Sequence, residues 1–149
     1  MMRRHLWLSL GLGLLTLGAS AQWTNPPDAI PAYHNAPPAK GVKLAPILSG
    51  KQLTGPNFTY SWQVKVYHEA ARIPNVLYQL PCYCHCDRAL GHHSLHSCFA
   101  GLHGAECQTC AMEGAYAYRM TRKGWTPQQI RGGIERGEWK KIDLNNLGA

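Results

Sequence analysis

Every cysteine of this chain falls in one short stretch. Six lie between Cys82 and Cys110, and five of the eight histidines (His85, His92, His93, His96 and His103) lie there with them. Sulfur at that density is spent on disulfides, on metal ligation or on thiol chemistry. Whatever the chain folds into must therefore be organised around sulfur and imidazole. At 149 residues it fits one compact domain and is too short for a barrel enzyme, which takes about 250 residues. The 45% hydrophobic content permits a core, and the 15% of charged residues argues against a coiled coil or a charged tail.

Three motifs make up the stretch. The first is Pro81-Cys82-Tyr83-Cys84-His85-Cys86. The second is Gly91-His92-His93-Ser94-Leu95-His96-Ser97-Cys98. The third is His103-Gly104-Ala105-Glu106-Cys107-Gln108-Thr109-Cys110. In an extended segment Cys82, Cys84 and Cys86 project to one side, with neighbouring thiols about 6.5–7 Å apart. That is too far for ready disulfide closure, although bends could gather the three around a metal. Cys107 and Cys110 stand three apart at the start of a predicted helix. They share a face there, and the helix N-terminus favours thiolate.

These motifs resemble those of the PCYCGC-motif family, also described as the CYCXC family of proteins and selenoproteins. Its members carry the cysteine triplet, then Gly-His-x-Ser-Leu-x-x-Cys-Phe, then His-Gly-Ala-x-Cys-x-x-Cys. Here Pro81–Cys86, Gly91–Phe99 and His103–Cys110 follow that order, and the resemblance covers roughly residues 60–140. One departure is His85, which stands where the family has glycine. It adds a candidate ligand and removes a permissive backbone position. The resemblance implies an exported protein, often tethered to a membrane, and it specifies no activity.

Three chemistries remain open. A disulfide framework would join each triplet member to one of Cys98, Cys107 and Cys110, which leaves the histidines without a role. Thiol redox chemistry has the Cys107-x-x-Cys110 spacing, but the strand-then-helix setting of a thioredoxin is missing. Metal binding accounts for both residue types, because thiolate and imidazole suit Cu(I), Zn(II) or an iron–sulfur cluster. The ligands expected are Cys82, Cys84, Cys86, Cys107 and Cys110, with Cys98, His92 and His103 completing one or two sites. Copper is the first expectation, ahead of zinc or an iron–sulfur cluster. Covalent haem is not expected, since Ala111 and not histidine follows Cys110. No H-E-x-x-H, G-x-S-x-G or P-loop marks a catalytic site.

The chain opens with Arg3-Arg4, an apolar run from Leu6 to Leu17 and Ala19-Ser20-Ala21, which is the pattern of a cleaved signal peptide over 1–21. The apolar run is shorter than the roughly 20 residues that span a bilayer, so no membrane helix is expected after cleavage. A periplasmic or extracellular address follows. General secretion is favoured, with the twin-arginine route as the second option because of the arginine pair. The net charge of +7 is spread along the chain, so no nucleic-acid partner is expected. The expected partners are a metal ion and an extracytoplasmic redox or metal-delivery protein.

Seven of the ten prolines fall within 22–57, which reads as an extended arm or linker, or else as an ordered strap along the domain. The Cys/His domain is expected over 58–149. Trp62, Val66, Ala70 and Ile73 predict a helix over 61–72 stopped before Pro74. Residues 82–104 lack periodicity and read mostly as loop. Residues 106–123 predict a helix ending at Gly124, and Thr126-Pro127-Gln128-Gln129 is a capped helix start. The fold class expected is a small, mainly α, loop-rich domain organised around the Cys/His cluster, with a Pro-rich N-terminal arm.

Overall fold

The computed structural model describes residues 29–147. The signal-peptide pattern over 1–21 and the prolines Pro26 and Pro27 lie outside the described residues. Among the described residues seven helices follow one another: α1 (Ser61–Ala70), α2 (Pro74–Leu77), α3 (Cys86–Leu90), α4 (Leu95–Phe99), α5 (His103–Glu106), α6 (Gln108–Arg122) and α7 (Pro127–Glu135). Short 3₁₀ turns lie at Gly50–Leu53, Glu138–Lys141 and Leu144–Asn146, and the described residues contain no strand. The domain is small and mainly helical, as the sequence leads one to expect.

Helix α6 is the spine, and α1 packs along it. Its buried face carries Cys110, Ala111, Gly114, Ala115 and Ala117, small residues that let neighbouring backbones come close. Phe99 fills the junction. Its ring is fully buried between Gly104 of α5 and Gly114 of α6, where an added Cβ would sit 2.8 Å from Cδ1 and 2.5 Å from Cζ respectively. Burying such a ring stabilises by about 2–3 kcal/mol. Tyr67 of α1 meets Phe99 edge-on at 5.2 Å and donates its hydroxyl proton to the Gly101 carbonyl at 2.6 Å. Gln63 Nε2 donates to the Ala105 carbonyl at 2.8 Å. These contacts lock α1, α4, α5 and α6 into one block.

Helix ends follow the local chemistry. Helix α1 stops at Ala70, short of the expected Arg72. Ile73, just before Pro74, has left the helical region at φ −132°, ψ 39°, because proline crowds the preceding residue. The stretch read as loop over 82–104 instead holds α3, α4 and α5. Each has only four or five residues, too few to print a helical period on the sequence. Helix α7 starts as its sequence predicts. Thr126 Oγ1 accepts the Gln129 N–H, and Gln129 Oε1 accepts the Thr126 N–H at 2.9 Å.

The proline-rich residues from 29 to 57 lie against this block. Pro31 is buried, and the Ala32 N–H donates to Asp87 Oδ2 at 3.0 Å. His34 is half-buried and stacks flat on Tyr78, with ring centroids 3.7 Å apart. The Leu48 N–H donates to the Phe99 carbonyl at 3.1 Å, and Ile47 and Leu53 enter the core. The segment therefore crosses the helices that carry the cysteines.

Candidate metal centre

Short helices and the turns between them bring the six sulfurs together. Cys82 and Cys84 sit in the link between α2 and α3, and Cys86 opens α3. Cys98 lies on α4, Cys107 caps α6 and Cys110 is in its first turn. The triplet is not the extended strand of three separated thiols. The His85 N–H bonds back to the Cys82 carbonyl at 3.1 Å, and His85 itself takes a left-handed conformation at φ 56°. That turn closes the Cys82 and Cys84 sulfurs to 3.4 Å.

The sulfurs form one connected network. Cys110 Sγ lies 3.3 Å from Cys82, 3.5 Å from Cys84 and 3.5 Å from Cys98, and Cys86 Sγ lies 3.5 Å from Cys98. All six cysteines are free thiols. Two sets of four residues place their ligand atoms within 4.8 Å of one another: Cys82, Cys86, Cys98 and Cys110, and Cys84, Cys86, His103 and Cys110. Four thiolates around one tetrahedral zinc at 2.3 Å bonds would stand about 3.8 Å apart, and three contacts of the first set, at 3.3–3.5 Å, lie close to that spacing. Of the residues expected as ligands, Cys107 and His92 stand outside both sets. His92 Nδ1 contacts the Cys98 sulfur at 3.4 Å, and the Cys107 thiol acts on Cys84 and Cys110.

The centre has a floor and a rim. Cys82, Cys86, Cys98 and Cys110 are buried, whereas Cys84, Cys107, His92 and His103 are half-buried. His103 Nε2 lies 3.5 Å from Cys84 Sγ, and the His92 and His103 rings meet edge-on at 5.4 Å. Protons are unevenly shared. The Cys107, Cys110 and Cys82 thiols hold the Cys84 pKa down at about 2, and Cys110 with Cys82 and Cys84 holds that of Cys86 at about 3. Hydrogen bonds from Cys110, Cys82 and Cys86 lower Cys98 as well. Cys110 is pushed up by Cys107, Cys82, Cys84 and Cys86 and by burial. Cys82 gains from Cys110, but Cys84, Cys86, Cys98 and burial outweigh that and raise it. Burial works against a charged imidazole at His92 and His103, yet the sulfur partners Cys98 and Cys84 raise both pKa values on balance. The arrangement is a set of thiolates held by thiol donors and offset by imidazoles, ready to exchange protons for metal.

Glu113 is the site residue that sequence reasoning missed. It is fully buried behind the triplet, where Oε1 accepts the Tyr83 N–H at 2.9 Å while Oε2 has no partner. Burial pushes its carboxyl well above the usual range. Its position three residues after Cys110 on one helix was the available signal, since such residues share a face. His93 is exposed, and His96 is buried beside the Ala45 backbone with Nε2 unpartnered.

His85 is the sole non-glycine residue with positive φ among the described residues. A left-handed residue with a Cβ costs about 1–2 kcal/mol. It belongs to neither ligand set. His85→Gly is therefore expected to raise unfolding free energy by about 1 kcal/mol, partly offset by glycine's greater chain entropy. Urea denaturation of the metal-free chain reads this directly, and a loss of stability would show that the His85 ring supports the turn.

Together the fold and site define a small helical domain built around a buried thiolate–imidazole cluster able to hold metal. The chain belongs to the family described as proteins of unknown function with a PCYCGC motif, whose model matches residues 56–141. The family's fifth motif position falls on His85, where the left-handed backbone accounts for glycine. No curated protein and no solved structure matches the chain. Among the described residues, no helix is long and apolar enough to cross a membrane.

Proposed function

We propose that this is an exported protein that binds a soft transition metal, copper as Cu(I) first, in metal carriage, sensing or electron transfer. The observation that carries the reading is the gathering of six unpaired sulfurs and two imidazoles, from helices α3 to α6 and the loops before α3 and α4, into one cluster. Thiolate excess selects soft ions, and copper outranks zinc at such ligands. Sulfur contacts of 3.3–3.5 Å suit direct bonds to single ions better than an iron–sulfur core, whose four cysteines stand farther apart around a larger body. The half-buried rim of Cys84, Cys107, His92 and His103 gives a delivery partner access to the ligands. Export is supported by the Arg3-Arg4, apolar and Ala19-Ser20-Ala21 pattern of the sequence.

The test is anaerobic titration of the reduced chain with Cu(I) against a chromogenic Cu(I) chelator, with Zn(II) run in parallel and free thiols counted. Copper retained in stoichiometric amount against the chelator is the expected result. No retained metal and no free thiols in protein recovered from its own compartment would overturn the proposal in favour of a disulfide-stapled interaction domain. One observation favours thiol–disulfide exchange as a second reading: Cys84 is half-buried and in contact with Cys82 and Cys110, and hydrogen bonds from Cys107, Cys110 and Cys82 favour its thiolate. That reading requires a single-cysteine variant that traps a mixed disulfide with a partner.

A further inference from the structure

The geometry points to one polynuclear centre in which the Cys86 and Cys110 sulfurs bridge at least two Cu(I) ions. This deepens the soft-metal reading and rests on it. The two sets of four ligands are not separate sites, because Cys86 and Cys110 belong to both. An ion in the first set takes Cys82 and Cys98 as its own ligands. An ion in the second takes Cys84 and His103. Both ions then require the same two sulfurs. A thiolate sulfur has lone pairs enough to bond two metals, whereas an imidazole nitrogen has one. The shared members are both sulfur, and the sole histidine of the two sets is a terminal ligand. The sets also touch directly, since Cys84 Sγ lies 3.4 Å from Cys82 and 3.5 Å from Cys110.

Charge favours filling both positions. Uncompensated charge in a buried site is costly. The two sets hold five cysteines, and one Cu(I) offsets only one thiolate. Each further Cu(I) removes another negative charge and displaces thiol protons to solvent. The first ion also fixes Cys86 and Cys110 in place for the second, so loading is cooperative. Binding at one position lowers the ordering cost at the other.

Native mass spectrometry of the reduced chain during Cu(I) titration counts the ions. Two equal independent sites would put about half of the protein in the one-ion form at half-loading, whereas coupled sites are expected to leave about a tenth or less. X-ray absorption of the loaded chain is expected to show a metal–metal scattering shell. His93→Ala, at an exposed position outside both sets, is expected to keep the ion count, and Cys86→Ser to reduce it to one or none. Saturation at a single ion overturns the bridged centre while leaving metal binding intact. Two ions without a metal–metal shell, or an unchanged count in Cys86→Ser, overturn it equally. No retained copper at all removes the soft-metal reading itself, so the two failures are distinct.

Discussion

Cys110→Ser is expected to abolish most of the thermal stabilisation that Cu(I) confers on this chain. A ligand held only by the folded state, present at a thousandfold over its Kd, adds about 4 kcal/mol. For a domain of this size that raises Tm on the order of 20 °C. Cys110 contributes to both ligand sets and touches three other sulfurs, so its loss leaves neither set complete. The serine oxygen is a hard, uncharged and shorter-reaching donor that does not replace a thiolate for a soft ion. Differential scanning calorimetry with and without Cu(I) should show a rise of about 5 °C or less in the variant. The metal-free variant should fall by about 1–3 kcal/mol, because the hydroxyl is buried among sulfurs at a fully buried position. His93→Ala is the control, being exposed and outside both sets, and it should keep most of the metal-dependent rise. A full rise in Cys110→Ser would show that Cys110 is not a ligand.

The cluster was legible because its chemistry is carried by residue type. Cysteine and histidine at that density have few other uses, and the match to the family motifs pointed to His92 and His103, of which only His103 enters a possible ligand set. The capped start of α7 was legible for a similar reason, since Thr126, Pro127 and Gln129 each have one preferred place at a helix N-terminus. What the sequence hid was geometry made by tertiary packing. An extended triplet and a turned one have the same letters, and the left-handed backbone of His85 that separates them is a state that residues other than glycine seldom adopt. Helices of four or five residues give no period to detect, so α3, α4 and α5 were invisible although they carry Cys86, Cys98 and His103. Nor does the sequence show that Gly104 and Gly114 mark close approach of Phe99 to two helices. The contact of Pro31 and Ala32 with the cysteine-bearing helices depends on a single buried ring and on Asp87, neither of which a proline count discloses.

Those glycines yield the second large effect, expected from Gly114→Ala. In the middle of an ordinary helix, glycine to alanine stabilises by about 1 kcal/mol. At Gly114 the new methyl would lie 2.5 Å from Phe99 Cζ and 2.9 Å from Cε2. The ring cannot retreat, because Gly104 closes on its other edge and Tyr67 packs against it at 5.2 Å. Relief must come from moving α4 away from α6, and α4 carries Cys98 next to Phe99. The clash therefore reaches the metal centre by separating Cys98 from Cys110. A net loss of about 1–3 kcal/mol is expected, which lowers Tm by about 5–15 °C, together with weaker retention of Cu(I) against a chelator. Gly132→Ala makes the contrast within the same chain. Its methyl meets only the mobile end of Arg136 at 3.2 Å, so the helix gain of up to about 1 kcal/mol should survive there. The double variant Gly114→Ala with Phe99→Leu, which trims the ring that clashes, should recover part of the lost copper retention. Gly114→Ala at wild-type stability, with copper retention unchanged, would show that the Phe99 junction does not hold the sulfurs in register.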